Sequence, residues 1–472
     1  MWVVLIASVV VLVFTKWVHS WRRLKHYEKL PKGSMGFPLL GENLDFLTPH
    51  SSFDIAPFIE TRMVRYGPIF RTNLMGRRAI VSTDTNLNHL IFQEEGNLFR
   101  SWYPDRLTKI FGRQNILSMH GQNFKSLKNM IINLYGIESM KKMVREVEAS
   151  TKTRLRRWST RNMIDLKDET ATMIFDFTSK KLISYDRESS SENLRENFDV
   201  FIKGLISLPL NFPGTAHHKC RQGRKRTMKM LKNMLQERQA NPRKQHNDFF
   251  DYVLEELEKH GTLLTQEMAL DLMFFLLFAS FETTSLALTL AIKFLVDHPR
   301  VLTELTVEHE GILKNRDKAD SGLTWAEYKS MTFTFQFINE TLRLGNVAPL
   351  IFREALKDVE YKGFVIPAGW IVVPSLSAVH LNPENYVDPL TFNPWRWEKS
   401  DGGASKHLMA FGGGLRFCFG AEFVKLQIAV FLHSLLTSYK FEAIKGGNII
   451  RVPGLQFPDG FHVQITEKSL CK

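Results

Sequence analysis

The sequence predicts a mainly helical chain with small β-sheets. Residues 141–243 carry a mainly helical, charge-laced pattern, and residues 265–297 predict one long apolar helix. Strand signals are short and lie at Ile69 to Thr72 and at Arg78 to Ser82. The chain has 472 residues, of which 44% are hydrophobic and 24% charged, so it is long enough to bury a large core.

The N-terminus predicts a membrane anchor. Trp2 to Phe14 is apolar apart from Ser8, which is the short end for a membrane span, and a basic cluster follows it. A cleaved signal peptide is the alternative, but no positive segment precedes the apolar run and no small-x-small site follows it. Because positive charge follows the run, we expect residues 1–20 to form one anchor with its tip in the lumen and the body cytosolic.

A proline- and glycine-rich segment follows the anchor. Leu30 to Gly41 contains two prolines and three glycines, which cannot continue a helix, so residues 21–41 are predicted to form a hinge or a plain linker. Beyond it, helices are predicted at Pro57 to Tyr66 and at Asp84 to Gln93. Residues 101–121 show few periodic signals.

Charge and cysteine content exclude some classes of protein. The net charge of +13 suits a membrane surface, an acidic protein partner or a generic basic surface. No basic stripe with interleaved aromatic residues indicates nucleic-acid binding. Cys220, Cys418 and Cys471 do not suggest a disulfide framework, which fits a reducing cytosolic face.

The longest predicted helix runs from Thr265 to Asp297. Thr265 is a candidate N-cap, and the proline after His298 ends the helix. Residues 272–281 are apolar on nearly every face, which predicts either a buried helix or a second membrane span. Glu282 favours the buried helix because a charge in the middle of a bilayer is costly.

A glycine-rich loop holds one cysteine near the C-terminus. Phe411 to Gly420 carries Phe-x-x-Gly-x-Arg-x-Cys-x-Gly at all its fixed positions, and residues 421–436 after it predict a helix. A thiolate at Cys418 would lie at the positive end of that helix, where backbone N–H groups lower its pKa. The glycines let the backbone approach a large flat ligand, with Arg416 available to an acidic group on it. A buried structural cysteine is the alternative.

This loop resembles the haem-thiolate signature of the cytochrome P450 family, and the chain resembles that family over essentially its whole length, with residues 42–472 as the haem domain. The resemblance implies a P450 fold that binds haem b. Cys418 would be the iron ligand in the loop that begins at Phe411, and Arg353 and Arg416 would contact the haem propionates. Lys128 stands where the family often has an arginine and offers a point charge there.

Two further motifs resemble the family. Residues 279–284 match its oxygen-activating motif with Ser280 in place of the usual glycine, which implies that Glu282 and Thr283 relay protons. Glu340, Arg343 and Arg396 resemble the Glu-Arg-Arg set that supports the cysteine loop. An exposed ion pair is the alternative for the first two, because their i, i+3 spacing is common on helix surfaces.

Residues expected to contact substrate are apolar, and no charged residue is placed among them to anchor an acid, which predicts a large hydrophobic substrate. The site set is Trp102, Phe278, Ala279, Val347, Leu350 and Phe457, with Phe274, Phe275, Leu277 and Phe281 as further pocket candidates. Tyr103, Phe111 and Ile116 are expected either to line the pocket or to pack in the core.

Several runs, including residues 212–215, 278–282 and 392–397, resemble the plant clan that oxidises brassinosteroids, sterols and triterpenoids, and most of all its family 87. The resemblance implies a single-pass monooxygenase of the endoplasmic reticulum membrane that takes electrons from NADPH through a P450 reductase. We expect a sterol substrate that is oxidised on its side chain. Successive hydroxylations there would lead to cleavage of the sterol side chain. Ring hydroxylation of a tetracyclic or pentacyclic triterpenoid is the alternative. A haem isomerase or dehydratase acting on hydroperoxides is a third, disfavoured by the intact Thr283 and Cys418.

Overall fold

A computed structural model of the chain describes Thr15 and residues 29–37, 40–190, 192–205, 207, 210–241, 246–316, 321–349, 351–398, 403–452 and 454–468. The anchor predicted at residues 1–20 lies outside these residues except for Thr15. The predicted hinge is described only from residue 29 onward, without residues 38 and 39.

Helices make up most of the described chain, which confirms the predicted fold class. In chain order they are α1 (Asn43–Phe46), α2 (Pro57–Tyr66), α3 (Thr85–Gln93), α4 (Asp105–Phe111), α5 (Gly121–Leu134), α6 (Ile137–Ser159), α7 (Leu166–Ile183), α8 (Leu194–Leu205), α9 (Ala216–Ala240), α10 (Phe249–Glu258), α11 (Gln266–Asp297), α12 (Pro299–Lys314), α13 (Trp325–Ser330), α14 (Thr332–Gly345), α15 (Leu376–His380), α16 (Gly403–Lys406) and α17 (Ala421–Ser438).

The strands are short and form small sheets. They are β1 (Ile69–Leu74), β2 (Arg77–Ser82), β3 (Phe99–Ser101), β4 (Ile164–Asp165), β5 (Arg353–Ala355), β6 (Val359–Tyr361), β7 (Phe364–Ile366), β8 (Ile371–Pro374), β9 (Tyr439–Gly446), β10 (Ile450–Arg451), β11 (Leu455–Gln456) and β12 (Phe461–Glu467). The largest described sheet has the order β1-β2-β8-β5-β3, in which β2 and β8 are parallel and the other neighbours antiparallel. A second sheet has the order β4-β12-β9.

Local signals set most element boundaries correctly. Helix α2 has the predicted ends, and Asp84 caps α3 by accepting a hydrogen bond from the backbone N–H of Leu87. The first predicted strand continues two residues further, to Leu74, and α17 continues two residues past the predicted end. Helix α4 lies inside the stretch that showed few periodic signals. The sequence did not reveal it because seven residues are too few to display a helical repeat.

Helix α11 crosses the centre of the core. Thr265 caps it as predicted, and helices α7, α9, α14 and α17 pack against it. Among the described residues it is the one helix long and apolar enough to span a membrane, but 72% of its most apolar stretch is buried inside the protein. Protein contacts therefore account for its apolar surface, as they do for the core helix of many globular proteins.

A buried charge cluster ties α14 to the segment after α15. The Glu340 carboxylate accepts hydrogen bonds from Arg343, from Arg396 Nε at 3.0 Å and from Trp397 Nε1 at 3.0 Å. Arg343 is fully buried and also donates to the carbonyl oxygens of His380 and Pro389, at 2.8 and 2.6 Å. Every charge in the cluster thus has a partner, which is the condition for keeping ions in a protein interior.

His380 connects this cluster to the cysteine loop. Its Nε2 accepts a hydrogen bond from the backbone N–H of Met409 at 2.9 Å, and the Met409 carbonyl oxygen accepts one from Gly412 N–H at 2.8 Å. Because Nε2 is an acceptor, the ring proton lies on Nδ1, which faces the Asn346 side-chain oxygen at 3.0 Å. Burial, and then the charge of Arg343, lowers the pKa of His380 to about 3, so the ring stays neutral.

Replacing Arg343 tests the cluster. Arg343→Leu leaves the Glu340 carboxylate buried with fewer donors, so we expect the free energy of unfolding to fall by about 3–5 kcal/mol. Lys293→Leu is the matched control, because Lys293 forms a partly exposed i, i+4 ion pair with Asp297 at 3.0 Å and its loss should cost below about 1 kcal/mol. Urea unfolding followed by tryptophan fluorescence measures both. Equal losses in the two variants would contradict the role of the cluster.

Candidate functional site

The cysteine loop is a tight turn held by its own backbone. Cys418 N–H donates to the carbonyl oxygen of Phe411 at 3.0 Å, and Phe417 N–H donates to Gly414 at 3.1 Å. Gly412 and Gly414 adopt φ values of +72° and +61°, which residues other than glycine rarely adopt. A Cβ atom on Gly414 would overlap the carbonyl oxygen of Phe92, so the glycine is also needed for close packing against α3.

Cys418 presents its sulfur at the start of α17. Backbone N–H groups of Gly420 and Ala421 hydrogen-bond the sulfur and lower the pKa of the thiol, but burial outweighs them and raises that pKa overall. Cys418 keeps solvent-accessible surface on the side that lines a cavity, whereas protein atoms surround the rest of the residue. An acceptor sulfur at a helix N-terminus suits a bound metal, which would remove the thiol proton outright.

A cavity of about 230 Å³ lies between this loop and α11. Ala279, Ser280, Thr283 and Thr284 line it from α11, opposite Cys418. The Thr283 hydroxyl donates to the carbonyl oxygen of Ala279 at 3.1 Å and is open to the cavity, whereas Thr284 is buried and donates to Ser280 at 2.7 Å. Hydroxyls that bond the preceding turn of a helix are free to exchange that partner for a ligand or a water.

Two arginines share one carboxylate at the side of the cavity. Arg353 and Arg416 both line it, and their Nε atoms lie 2.8 and 2.5 Å from the two carboxylate oxygens of Glu95, whose side chain is 3% exposed. Burial lowers the pKa of Arg416, and the charge of Glu95 opposes that shift. One carboxylate against two guanidinium groups leaves a net positive charge beside the cavity, which favours an anionic group there.

Phe124 and Lys128, both on α5, contact the cysteine loop. The guanidinium of Arg416 lies 4.1 Å from the centre of the Phe124 ring, so Phe124 supports that arginine through a cation–π contact. Lys128 is not among the residues that line the cavity, and its ammonium donates to the carbonyl oxygen of Leu415 at 3.0 Å. The structure therefore gives Lys128 a role in bracing the loop rather than a place in the cavity.

The structure brings together only part of the predicted site. The predicted residues that line the cavity are Cys418, Arg416, Arg353, Phe411, Thr283 and Ala279, together with Tyr103, Ile116 and Phe275. The predicted residues outside its lining are Lys128, Glu282, Trp102, Phe278, Val347 and Phe457. Phe274, Leu277 and Phe281 are fully buried in the core. Leu350 lies outside the described residues.

Glu282, Phe278 and Phe457 line a second cleft, of about 660 Å³, on another side of α11. The Glu282 carboxylate is held there by the ammonium of Lys167, at 2.9 and 3.0 Å. Adjacent residues on a helix point about 100° apart, so Glu282 and Thr283 face different spaces. Trp102 lies elsewhere and packs edge-on against Phe352, with ring centres 6.1 Å apart.

Sequence reasoning missed Glu95, Lys167 and Tyr135. Glu95 follows the end of α3, where an acidic residue is usually solvated, and its two arginine partners are more than 250 residues away in the chain. Tyr135 lines the cavity, where burial and the neighbouring Cys418 raise the pKa of its hydroxyl. No local pattern marks any of these residues, since each gains its environment from distant segments.

The side chains around the cavity fit an iron porphyrin. A single sulfur ligand faces the cavity, apolar walls include Ile116, Phe124 and Phe275, and the two arginines match the carboxylates that a haem carries. Gly412 and Gly420 also line the cavity, and the absence of a Cβ there leaves the backbone open to a flat macrocycle. The donor set thus suits haem better than a hydrated metal ion, and the described residues hold no group of three or more histidine, cysteine or acidic side chains that could bind one.

Comparison with known proteins agrees with this interpretation. The family model for cytochrome P450 matches residues 31–471. Cytochrome P450 87A3 from Oryza sativa subsp. japonica is 52% identical over 96% of this chain and 89% of its own. The β-amyrin 16-α-hydroxylase CYP87D16 from Maesa lanceolata is 41% identical over 99% of this chain and all of its own. The cholesterol 22-monohydroxylase CYP90B52 from Paris polyphylla is 38% identical over 94% of each chain.

The fold also matches a solved structure. Retinoic acid bound cyanobacterial CYP120A1 superposes with a TM-score of 0.83 and 25% sequence identity, over 93% of this chain and all of the other.

A glycine replacement tests the loop geometry. In Gly414→Ala the new Cβ meets the backbone of Phe92 at a positive φ, so we expect the free energy of unfolding to fall by more than about 2 kcal/mol. Gly363→Ala is the control, because Gly363 also has a positive φ but nothing lies within 4 Å of its added Cβ, and it should lose only about 1 kcal/mol. Chemical unfolding measures both, and a tolerated Gly414→Ala would mean that the loop can move away from α3.

Proposed function

The chain belongs to the cytochrome P450 family, and we propose that it is a haem-thiolate monooxygenase that hydroxylates a large hydrophobic sterol. The observation that carries the proposal is that Cys418 and Thr283 line one mostly apolar cavity, Cys418 from the cysteine loop and Thr283 from α11. Members of this family carry haem, and the named relatives of this chain include hydroxylases. The chain is therefore an oxidoreductase, and its substrate and the atom oxidised are the matters proposed.

Four side chains are proposed to hold the cofactor. Cys418 would provide the sulfur ligand to the iron, Arg353 and Arg416 would pair with the propionates, and Phe411 would pack beside the macrocycle, as its position on the cavity lining suggests. Haem with a thiolate ligand supplies activation of dioxygen for insertion of one oxygen atom into a C–H bond. The backbone N–H groups of Gly420 and Ala421 would moderate the charge on the sulfur through their hydrogen bonds.

Thr283 and Glu282 are proposed to deliver protons, with their side chains facing different spaces around α11. The Thr283 hydroxyl donates to Ala279 O, and it can exchange that acceptor for a ligand in the cavity while its oxygen accepts a hydrogen bond from water. Glu282 faces the larger cleft, and Lys167 fixes its carboxylate there. Waters that extend from that cleft around α11 to the cavity would connect the two residues.

The electron supply and the membrane attachment are also proposals, supported by the resemblance to the family. We propose that a P450 reductase supplies electrons from NADPH, that residues 1–20 anchor the chain in the endoplasmic reticulum membrane by a single span, that residues 21–41 form a hinge, and that residues 42–472 form the cytosolic haem domain. The apolar run Trp2 to Phe14 and the basic residues after it support the anchor.

A sterol is the proposed substrate because the cavity lining above Cys418 is largely apolar and a named relative acts on cholesterol at a side-chain position. A large rigid polycycle gains most of its binding free energy from apolar contact and needs few polar groups for orientation. Trp102, Phe278, Val347 and Phe457 would contact it only if the cavity extends beyond the space next to Cys418, since none of them is among the residues that line that space.

Ring hydroxylation of a triterpenoid is the second candidate. A relative with higher identity, at 41%, is named for hydroxylation of β-amyrin at carbon 16. The relative at 52% identity has no substrate in its name and therefore favours neither candidate. Identification of the reaction products is needed to choose between them.

Replacing Thr283 tests the proton path. In Thr283→Ala we expect product formed per NADPH to fall about tenfold or more, with the reducing equivalents released as hydrogen peroxide, because a positioned proton donor is lost. Thr289→Ala is the matched control, since its buried hydroxyl also bonds the preceding turn of α11, at 2.7 Å, and Thr289 is not among the residues that line the cavity. NADPH, peroxide and product are measured together. Unchanged coupling in Thr283→Ala would exclude its proton-delivery role.

A product assay tests the proposed reaction. The full chain with a plant P450 reductase and NADPH is offered cholesterol, phytosterols and tetracyclic and pentacyclic triterpenes, and mass spectrometry identifies the products. We expect a sterol with added oxygen on the side chain or with the side chain shortened, and no product from Cys418→Ser. Products from triterpenes alone would establish the second candidate. Conversion of fatty acid hydroperoxides without NADPH would contradict both.

A further inference from the structure

The Glu95 carboxylate is a buried anion beside the cavity at Cys418, and the proposed chemistry does not use it. Its side chain is 3% exposed, and each of its oxygens faces one of the two arginines that line the cavity. The Nε atom of Arg353 is 2.8 Å away and that of Arg416 is 2.5 Å away. A carboxylate at this depth is costly unless cations surround it, so the three groups act as one unit.

The backbone fixes the position of Glu95 independently of the arginines. Glu95 lies in the tight connection between α3 and β3, where the carbonyl oxygen of Glu94 accepts a hydrogen bond from Phe99 N–H at 3.2 Å. Gly96 N–H donates to the carbonyl oxygen of Phe99 at 2.6 Å. The Glu95 carboxylate itself accepts a hydrogen bond from Ser101 N–H at 3.0 Å. It therefore stays beside the cavity when an arginine turns towards another acid.

The two arginines are held with different strength. Arg416 also donates to the carbonyl oxygens of Ile116, at 3.2 Å, and of Met119, so its guanidinium is fixed on several sides. The Nε atom of Arg353 is close to Glu95 but is not aligned with it as a hydrogen bond. Because charge rather than a directed bond holds Arg353 there, its guanidinium can offer donors to a second carboxylate.

The charge of Glu95 reaches other groups around the cavity. Burial raises the pKa of the Tyr103 hydroxyl, which lines the cavity; the charges of the two arginines oppose that shift, and the charge of Glu95 adds to it. Burial and then the charge of Arg416 lower the pKa of His120, and the charge of Glu95 opposes them. The field of this one carboxylate thus extends into the space where haem would lie, because buried charges are screened little.

A count of charges shows what this field would do. Arg353 and Arg416 carry two positive charges, haem brings two carboxylates, and Glu95 adds a third negative charge. The loaded site then has one negative charge in excess. Reduction of the iron adds a further negative charge, so a fixed anion nearby makes the electron less welcome.

We propose that Glu95 is a positioning residue that lowers the reduction potential of the bound haem. Its carboxylate holds Arg353 and Arg416 beside the cavity and offsets one of their two positive charges, so the propionates are incompletely neutralised. The step concerned is the transfer of one electron from the proposed reductase to ferric iron, which becomes ferrous. This inference rests on the proposed haem-thiolate function and concerns how readily the iron is reduced, not which C–H bond is oxidised.

A spectroelectrochemical titration of the full-length holoprotein in neutral detergent tests the proposal. Glu95→Gln keeps the size of the side chain and an acceptor oxygen for Ser101 N–H, but it removes the charge. We expect the equilibrium constant for one-electron reduction of the iron to rise about threefold or more. This rise corresponds to a potential that is more positive by about 28 mV or more, since a tenfold change corresponds to about 59 mV.

Two further variants separate charge from shape and from burial. Glu354→Gln is the matched control, because Glu354 is also a nearly buried carboxylate shared by two arginines, Arg77 at 2.9 Å and Arg100 at 2.6 Å. None of these three residues lines the cavity, so the potential should stay unchanged. Glu95→Asp keeps the charge and alters the shape, and it should shift the potential less than Glu95→Gln does. Haem content and circular dichroism are measured for every variant.

Each other outcome overturns the proposal. Equal shifts in Glu95→Gln and Glu95→Asp would mean that side-chain shape matters, and an equal shift in Glu354→Gln would mean a response to any buried charge. Loss of haem or of the fold from Glu95→Gln would mean that Glu95 supports the structure rather than the potential.

The spectrum of the reduced carbon monoxide complex separates this inference from the proposed function. If the unaltered protein lacks the thiolate-specific spectrum, the proposed function and the role of Glu95 both fail. If that spectrum is present and Glu95→Gln leaves the potential unchanged, only the role of Glu95 fails.

Discussion

The position of the reactive cysteine depends on a buried carboxylate far from it in the chain. Glu340 holds Arg343 and Arg396, Arg343 holds the carbonyl oxygen of His380, and the ring of His380 accepts the backbone N–H of Met409. The carbonyl oxygen of Met409 in turn accepts a hydrogen bond from the backbone N–H of Gly412, which belongs to the cysteine loop. Since each link is buried, loss of any one leaves a polar group without a partner, and this makes the arrangement stiff.

Stiffness at the loop contrasts with adjustable chemistry across the cavity. The Cys418 sulfur accepts hydrogen bonds from the backbone N–H groups of Gly420 and Ala421. The turn into α17 fixes the positions of these donors. The Thr283 hydroxyl instead has one local acceptor and an open side. The cavity thus has a sulfur with fixed hydrogen-bond donors on one wall and a hydroxyl that can change its hydrogen-bond partner on the other.

Charge is distributed so that anions are attracted in two separate places. Inside, Arg353 and Arg416 outnumber Glu95 and favour the acidic groups of a haem. Outside, a surface cleft between α4 and α9 is lined by five lysine and arginine side chains and, among the described residues, by no acidic one. Both places favour anions locally.

Most of the fold was predictable because its signals are local. Thr265 caps its helix as expected, a proline follows the end of that helix, and the run of apolar residues in α11 is buried. The spacing around Cys418 identified the cofactor ligand candidate, since the motif matches at five fixed positions within ten residues.

The rest depended on tertiary structure. Glu95 meets Arg416 across 321 positions, Glu282 meets Lys167 across 115, and Lys128 meets Leu415 across 287. Periodicity and capping describe neighbours within a few residues, so they cannot choose among distant partners for a charge. The sequence by itself determined which segments are helices and which loop carries the sulfur. Only packing decided which side chains face the cavity, because a side chain's direction depends on how helices are oriented against one another.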